Sequence, residues 1–156
     1  MATREEIIKG LEFTIEQGKR STALFSEGEW DTKRPAGWTP KEVYSHLAAT
    51  AAVVPQLGAG LMNAAEDADI TQGMDINAMN EQSVGAMGSM TPDQVIQTFE
   101  TNYRQLIDYV KGLSDDQLNA RRRFLSDAIP VSDILANSIM LHGIHHVYEA
   151  SSQRAP

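Results

Sequence analysis

The sequence contains no cysteine. This absence excludes disulfide bonds, a thiolate zinc site and a cysteine nucleophile, so any metal that the protein binds must be held by histidine and oxygen ligands. A chain without disulfides also fits the reducing interior of a cell. We therefore expect a cytoplasmic protein whose chemistry does not depend on a thiol of its own.

Long apolar runs and basic clusters are scarce as well. The longest apolar-leaning run, Leu47–Pro55, is too short to span a bilayer, and acidic residues stand where a signal peptide needs an apolar core. The formal net charge of −8 argues against a nucleic-acid-binding surface, and the short basic run Arg121–Arg123 does not alter this. The length of 156 residues suits one domain, 1–156. Neither a membrane nor a nucleic acid is therefore expected as a partner.

Helix starts are marked by capping boxes. Thr3, Thr39 and Thr91 are each followed three residues later by Glu or Gln, and a proline stands at the first helical position in two of them. Apolar residues then recur at helical spacing, whereas hairpin signals are missing. The predicted helices are residues 4–24, a helix from 40 with a kink or an end near Pro55, a short helix 76–86, and helices 92–113 and 132–154. They predict an all-α fold, a four-helix bundle with room for a non-sequential helix order.

The most informative cluster is the histidine run near the C-terminus. Three of the four histidines are His142, His145 and His146, and the fourth, His46, lies on another predicted helix. His142 and His146 are spaced i,i+4, which places their imidazoles on one helix face about 6 Å apart. Together with His46 they continue apolar stripes, where an unpaired imidazole is costly. A divalent metal would supply the missing partner.

If the two helices pack, His46, His142 and His146 converge as three metal ligands and leave coordination positions open, as catalytic sites do. Zinc and nickel both suit imidazole, and affinity order does not choose between them. The alternatives are a histidine that is hydrogen-bonded at the core boundary, an i,i+4 pair on the surface, and histidines that satisfy one another in the core. His145 points about 100° away from the pair, as the pitch of the helix dictates, and is expected behind the ligands or at the surface.

Three further groups are candidates for the site. Glu149 shares the helix face of His142 and His146 and could serve as general base or fourth ligand, or be an ordinary helix-end glutamate. Trp30 and Trp38 could wall a pocket mouth, although tryptophan more often packs in a core or a dimer interface. The run of residues 121–123 could receive the carboxylate of a small acid, or consist of solvated loop charges.

The segment Trp38–Leu47, taken with the histidine pattern of residues 142–146, resembles the DinB/YfiT superfamily of metal-dependent enzymes. The resemblance implies a four-helix bundle of up-down-down-up order, a homodimer, and a zinc or nickel ion held by His46, His142 and His146. Residues 37–39 and 75–80 are similar to the branch that includes mycothiol-dependent maleylpyruvate isomerase.

The chain departs from both branches of this superfamily. Many members of the first branch continue the histidine pair with Arg-Gly-Gln, where this chain has Val147, Tyr148 and Glu149. The isomerase branch carries a glutamate where His142 stands. These departures leave the metal ligands in place and bear on the choice of thiol and substrate.

Three functions remain open from the sequence. The first is an enzyme in which the three-histidine metal activates a low-molecular-weight thiol for transfer or isomerisation of a small-molecule substrate, or water for hydrolysis. The second is a non-catalytic metal-binding or ligand-binding protein of a stress response. The third is a helical dimerisation domain whose histidines satisfy one another.

Overall fold

The structure, a computed structural model, describes residues 1–35, 37–65, 69, 71–124 and 127–152. Helices make up most of it. In chain order the elements are α1 (Arg4–Thr22), a 3₁₀ helix (Glu27–Asp31), α2 (Pro40–Asn63), α3 (Ile76–Ala86), α4 (Pro92–Gly112), α5 (Asp115–Asn119), β1 (Arg121–Arg123), β2 (Ala128–Pro130), α6 (Val131–Leu135), a π-helical turn (Ala136–Leu141) and α7 (His142–Ser152). None of the described helices is long and apolar enough to cross a membrane.

The predicted capping boxes all form. Thr3, Thr39 and Thr91 accept hydrogen bonds from the backbone amides of Glu6, Glu42 and Gln94, whose side chains bond back to the cap residues. Ser114 opens the short helix α5 in the same way. The predicted bounds of α3 agree with the structure, and α4 ends one residue earlier than predicted. Local sequence therefore determines where these helices begin.

Helix α1 runs antiparallel to α4. Near the C-terminal end of α1, Lys19 pairs with Glu100 at 2.7 Å in the N-terminal half of α4. At the other end, Arg4 donates to the carbonyl oxygen of Leu113 at 2.8 Å and pairs with Asp115 at 2.6 Å. The two contacts fix the direction of one helix against the other.

Helix α2 runs parallel to α4. The side-chain amide of Asn102 donates to the carbonyl oxygen of Ala48 at 2.9 Å, and two to three turns further along the two helices Tyr109 lies against Gly58. Helix α4, the later of the two in sequence, thus packs against both α1 and α2, which is the non-sequential helix order that the sequence left room for.

The last helical segment, α6 through α7, runs parallel to α1. The backbone amide of Ala2 donates to Asp133 at 2.9 Å, and Gly10, further along α1, lies against Met140. These directions support the up-down-down-up order implied by the resemblance. The four-helix bundle expected from the sequence is confirmed, and its core is filled by apolar residues that include Ile7, Leu47 and Phe99.

Four details differ from the sequence prediction. Helix α1 ends at Thr22, so Leu24 lies outside it and is exposed. Helix α2 continues through Pro55 to Asn63, since a single proline removes only one backbone donor. The last helix contains an unpredicted π-helical turn, and it begins at Val131; its predicted end at residue 154 lies outside the described residues.

The fourth difference is a two-stranded antiparallel sheet, β1 with β2, where no strand was predicted. Side chains do not mark it by alternation, because three residues are too short for a pattern. Two hydrogen bonds to backbone carbonyls hold it instead. The side chain of Arg121 donates to the carbonyl oxygen of Ala128, and the backbone amide of Val131 donates to the carbonyl oxygen of Ala120 at 2.9 Å. Residues 121–123 therefore form a strand rather than a loop, and the expectation of solvated charges is wrong for Arg122, which is buried, whereas Arg121 and Arg123 are exposed.

Candidate metal centre

His46 lies one and a half turns inside α2 and is 5 % exposed. The capping box at Thr39 and the proline that follows it fix the start of this helix, and hence the face that His46 presents. Its neighbours Val43 and Leu47 are buried in the core. The predicted placement of His46 beside the apolar core is confirmed.

The other two histidines follow the π-helical turn directly. His142 is the first residue of α7, and His146 lies one turn later, both half-buried. Gly143, between them, packs so closely that a Cβ there would overlap the hydroxyl of Tyr103 and touch Thr14 at 3.0 Å. The absence of a side chain at Gly143 therefore lets α7 pack closely against α1 and α4 at the turn that carries His142 and His146. Single π-helical turns of this kind are frequent at functional sites.

The three imidazoles converge. The Nε2 atoms of His46 and His142 are 3.1 Å apart, and the His146 ring lies 5.2 Å and 4.5 Å, centroid to centroid, from those of His46 and His142. One nitrogen from each histidine can be chosen so that all three lie within 4.8 Å of one another. The helix packing that the sequence required for a shared site is present.

Glu149 contacts His146 from the next turn of α7. Its Oε2 atom lies 2.8 Å from Nδ1 of His146, and both side chains are mostly buried. A carboxylate in this position accepts a hydrogen bond from the Nδ1–H group, which fixes the tautomer of the imidazole and leaves Nε2 with its lone pair. Carboxylate–histidine pairs of this kind orient metal ligands in many proteins.

Trp38 covers the imidazoles from the segment that precedes α2. Its ring meets that of His46 edge-on at 4.9 Å and stacks on that of His146 at 6.1 Å with an angle of 21° between the planes. Trp30, by contrast, packs in the core against Phe25 and Tyr44. Trp38 therefore lies at the imidazoles, and Trp30 packs in the core, which was the alternative expected for both tryptophans.

Burial keeps two of the imidazoles neutral. Burial first, and the neighbouring His146 second, lower the pKa of His46 to about 4. Burial lowers the pKa of His142 to about 3, with further contributions from His146, His46 and His145. A neutral imidazole has a free lone pair at neutral pH, which is the form that binds metal.

The residues present fit a divalent cation. Nitrogens that share one zinc ion at about 2.0–2.1 Å in a tetrahedron lie about 3.3 Å apart, close to the 3.1 Å between His46 and His142. The Nδ1 atom of His142 is buried without a hydrogen-bond partner among the described residues, so hydrogen bonds within the protein do not fully satisfy this imidazole. The same 3.1 Å is a hydrogen-bond distance, so this pair of histidines fits the alternative of histidines that satisfy one another as well as it fits a shared cation.

His145 lies outside this convergence. It is exposed, its ring centre is 5.3 Å from that of His146, and with His146 and Glu149 it forms a second group of potential ligand atoms. The two groups share His146. The expectation that His145 would lie behind the ligands or at the surface agrees with its exposure. Of the basic run, Arg122 is buried and Arg121 is bonded to the backbone of β2.

Sequence reasoning missed two features that shape this site. One is the π-helical turn before His142, for which the sequence offers no marker. The other is the close approach at Gly143, for which the glycine between two ligand histidines was an available signal.

A helical bundle with three imidazoles gathered between two of its helices defines a class of candidate metal proteins. The model of the DinB superfamily matches residues 15–150, so the chain belongs to that superfamily. The resemblance stated from the histidine pattern is confirmed. No curated protein sequence matches the chain significantly.

Two solved proteins share the fold. YfiT from Bacillus subtilis, described as a probable metal-dependent hydrolase with an unusual four-helix bundle topology, has a TM-score of 0.74 at 18% identity over 96% of this chain and 85% of YfiT. The mycothiol-dependent maleylpyruvate isomerase has a TM-score of 0.74 at 16% identity over 97% of this chain, and a mutant of it gives 0.75 at 15% over 99%. This chain spans 62% of the isomerase's length.

Proposed function

We propose that this protein is a metal-dependent enzyme in which His46, His142 and His146 hold a divalent cation, zinc or nickel. The observation that carries the proposal is the convergence of three imidazoles from two helices, with their nitrogens within 4.8 Å of one another. A cation held in this way leaves coordination positions open and lowers the pKa of a thiol or water that it binds. The substrate is a small molecule.

The chain's own residues prepare the site for that cation. His46 and His142 are neutral because they are buried, and Glu149 holds His146 by its Nδ1 atom. Trp38 covers one side and keeps water from the imidazoles on that side. The role of Glu149 as general base stays a prediction, and its contact with His146 supports a part in orienting that ligand.

We propose a low-molecular-weight thiol as the nucleophile, for transfer or isomerisation. Glu149, the carboxylate beside the imidazoles, is already hydrogen-bonded to His146 through one oxygen, so the nucleophile should be one that needs little help from a general base. A thiol, with an ordinary pKa of about 8.5, needs less help to ionise than water at about 15.7. The chain has no cysteine, so the thiol must be a co-substrate.

Hydrolysis is the second candidate. The observation that favours it is the likeness to YfiT, described as a probable metal-dependent hydrolase, with a TM-score of 0.74 over 96% of this chain. A three-imidazole cation can also bring the pKa of bound water to about 7 without further help. A stress-related protein that binds metal without turnover is the third candidate.

Metal content tests the proposal. Elemental analysis of protein purified without an affinity tag should find about one zinc or nickel ion per chain, and none in His146→Ala, because removal of one of three ligands opens the site. His145→Ala is the matched control, since His145 is exposed on the same helix, and it should keep its metal. Wild type without metal after reconstitution, or His146→Ala with full metal, would overturn the proposal.

Activity then separates the candidates. Metal-loaded protein should transfer glutathione, mycothiol or bacillithiol to an electrophilic acceptor if the nucleophile is a thiol, and should cleave activated esters or amides without thiol if it is water. Glu149→Gln keeps a hydrogen-bond acceptor at His146 and should weaken metal binding about 10- to 100-fold, as loss of an orienting partner does. Bound metal without either activity would support the non-catalytic candidate.

We also propose a cytoplasmic homodimer. The dimer is implied by the resemblance, and the support in this structure is an open groove of about 450 Å³ between α1 and α7. Its rim carries three exposed large apolar side chains, Phe13, Leu24 and Tyr148. The mass in solution by light scattering tests this directly.

A further inference from the structure

Backbone hydrogen bonds join Arg34 to Trp38 in the segment between the 3₁₀ helix and α2. The backbone amide of Arg34 donates to the carbonyl oxygen of Trp38 at 2.8 Å, and the amide of Gly37 donates to that of Arg34 at 2.8 Å. Gly37 has φ +98°, in the region that favours glycine. Because the two bonds cross the same turn, the position of Arg34 sets the position of the Trp38 backbone.

The side chain of Arg34 is buried beneath this turn. It is 5 % exposed, its guanidinium carbon lies 5.6 Å from the centre of the Phe25 ring, and its Nη2 atom lies 3.7 Å from Oε1 of Glu29. Nε and Nη2 have no hydrogen-bond partner among the described residues. A buried guanidinium that leaves donors unused is an expensive way to gain stability, so its burial beneath the turn points to a positional role.

The other end of the turn is the aromatic cover of the metal centre. Trp38 meets the ring of His46 edge-on and stacks on that of His146. Trp38 follows Arg34 by four residues and precedes His46 by eight, so the turn joins the buried guanidinium to the imidazoles through one short stretch of backbone. A shift of Arg34 must therefore move the indole on the ligand rings.

We propose that Arg34 is a positioning residue for the metal centre: its buried guanidinium, held between Phe25 and Glu29, fixes the turn that places Trp38 on His46 and His146. The inference rests on the proposed function for its metal, but the placement of Trp38 is a property of the protein alone. Outer contacts of this kind hold metal ligands in one rotamer and limit water at the site.

Tryptophan fluorescence tests the inference without metal. In a Trp30→Phe background, where Trp38 is the single tryptophan, Arg34→Met should shift the emission to longer wavelength and increase quenching by acrylamide, because the indole leaves the imidazoles. Arg34→Lys keeps the charge beside Glu29 and should restore part of the original spectrum. Arg20→Met removes an exposed arginine paired with Glu16 and should leave the spectrum unchanged.

Metal affinity provides the second measurement. Binding of Ni²⁺ should fall about tenfold in Arg34→Met, with wild-type helix content by circular dichroism. A folded Arg34→Met protein with unchanged Trp38 emission and unchanged Ni²⁺ affinity would overturn the inference. If that variant does not fold, Glu29→Gln in the same background decides the question, with a smaller red shift expected. Failure of every variant, wild type included, to bind metal would overturn the proposed function, and the metal-free spectra would still decide the role of Arg34.

Discussion

Two pairs of antiparallel helices in this bundle use polar residues in opposite ways. Between α1 and α4, Lys19 pairs with Glu100 and Arg4 with Asp115, and these charges are largely accessible to solvent. Between α2 and α7, the polar groups include the buried imidazole of His46 and the half-buried imidazole of His142, whose pKa values are lowered by burial. Charges at the first contact are solvated in the folded and the unfolded chain alike, whereas the imidazoles lose their water on folding.

The difference shows which contact is built for binding. Solvent screens much of the charge in the two pairs, although Nε of Arg4 is buried without a hydrogen-bond partner among the described residues. The imidazole contact holds an unpartnered nitrogen on His142 and two groups whose protonation is suppressed, so it reduces the stability of the metal-free protein. Such a contact contributes little to the stability of the metal-free protein. A metal that binds the neutral imidazoles would stabilise the folded state in turn.

The largest expected effect is therefore the response of the metal-free protein to acid. The pKa of His46 falls from 6.5 to about 4 on folding and that of His142 to about 3, so the unfolded chain binds more protons below pH 6.5. Stability is full above pH 6.5 and is lost as pH falls, by at most about 1.4 kcal/mol per pH unit for each histidine. Solvent screening at half-buried His142 keeps its share below that limit. Urea denaturation of the metal-free protein between pH 7 and pH 5 measures this loss of unfolding free energy.

A control separates histidines from carboxylates. Glu6 and Glu100, whose pKa values are lowered from 4.5, begin to contribute only below the chosen range. The double variant His46→Gln, His142→Gln should lose the slope between pH 7 and pH 5. An unchanged slope in that variant would mean that the imidazoles are solvated, and the contrast between the two contacts would disappear.

The second effect tests how tightly α7 packs between His142 and His146. Gly143→Ala places a methyl group into the hydroxyl of Tyr103 and against Thr14, which should cost about 1–3 kcal/mol in unfolding free energy, as overpacking does. Gly85→Ala in exposed α3, where a Cβ meets nothing within 4 Å, should instead stabilise by up to about 1 kcal/mol. Urea denaturation measures both. A neutral Gly143→Ala would show that α7 can move away from α4 freely.

The start of α2 and the spacing of His142 and His146 show what the sequence can predict. A capping box and an i,i+4 pair are local patterns, so the sequence alone predicts both correctly. The convergence of His46 with them depends on packing between helices about a hundred residues apart, and apolar stripes give only its direction.

The misses have non-local causes. The π-helical turn of Ala136–Leu141 has no marker in the sequence. Strand β1 pairs with β2 through backbone and arginine contacts that leave no pattern in the side chains. No pattern in the sequence marks Arg34, yet it is buried in the structure. The burial of such a residue depends on segments distant in sequence, so it can be recognised only in the folded structure.

The smallest effect is expected at the charged contact. Lys19→Met keeps the apolar stem but removes the pair with Glu100, in which the two side chains are 51% and 24% exposed. The loss should be about 0.5 kcal/mol, since solvent screens the pair and Glu100 keeps Arg104 at 2.7 Å. Urea denaturation at low salt and at about 1 M NaCl should give the same ranking with the difference reduced at high salt. A loss of unfolding free energy well above about 1 kcal/mol would mean that solvent does not screen this pair. The contrast between the charged contact and the imidazole contact would then fail.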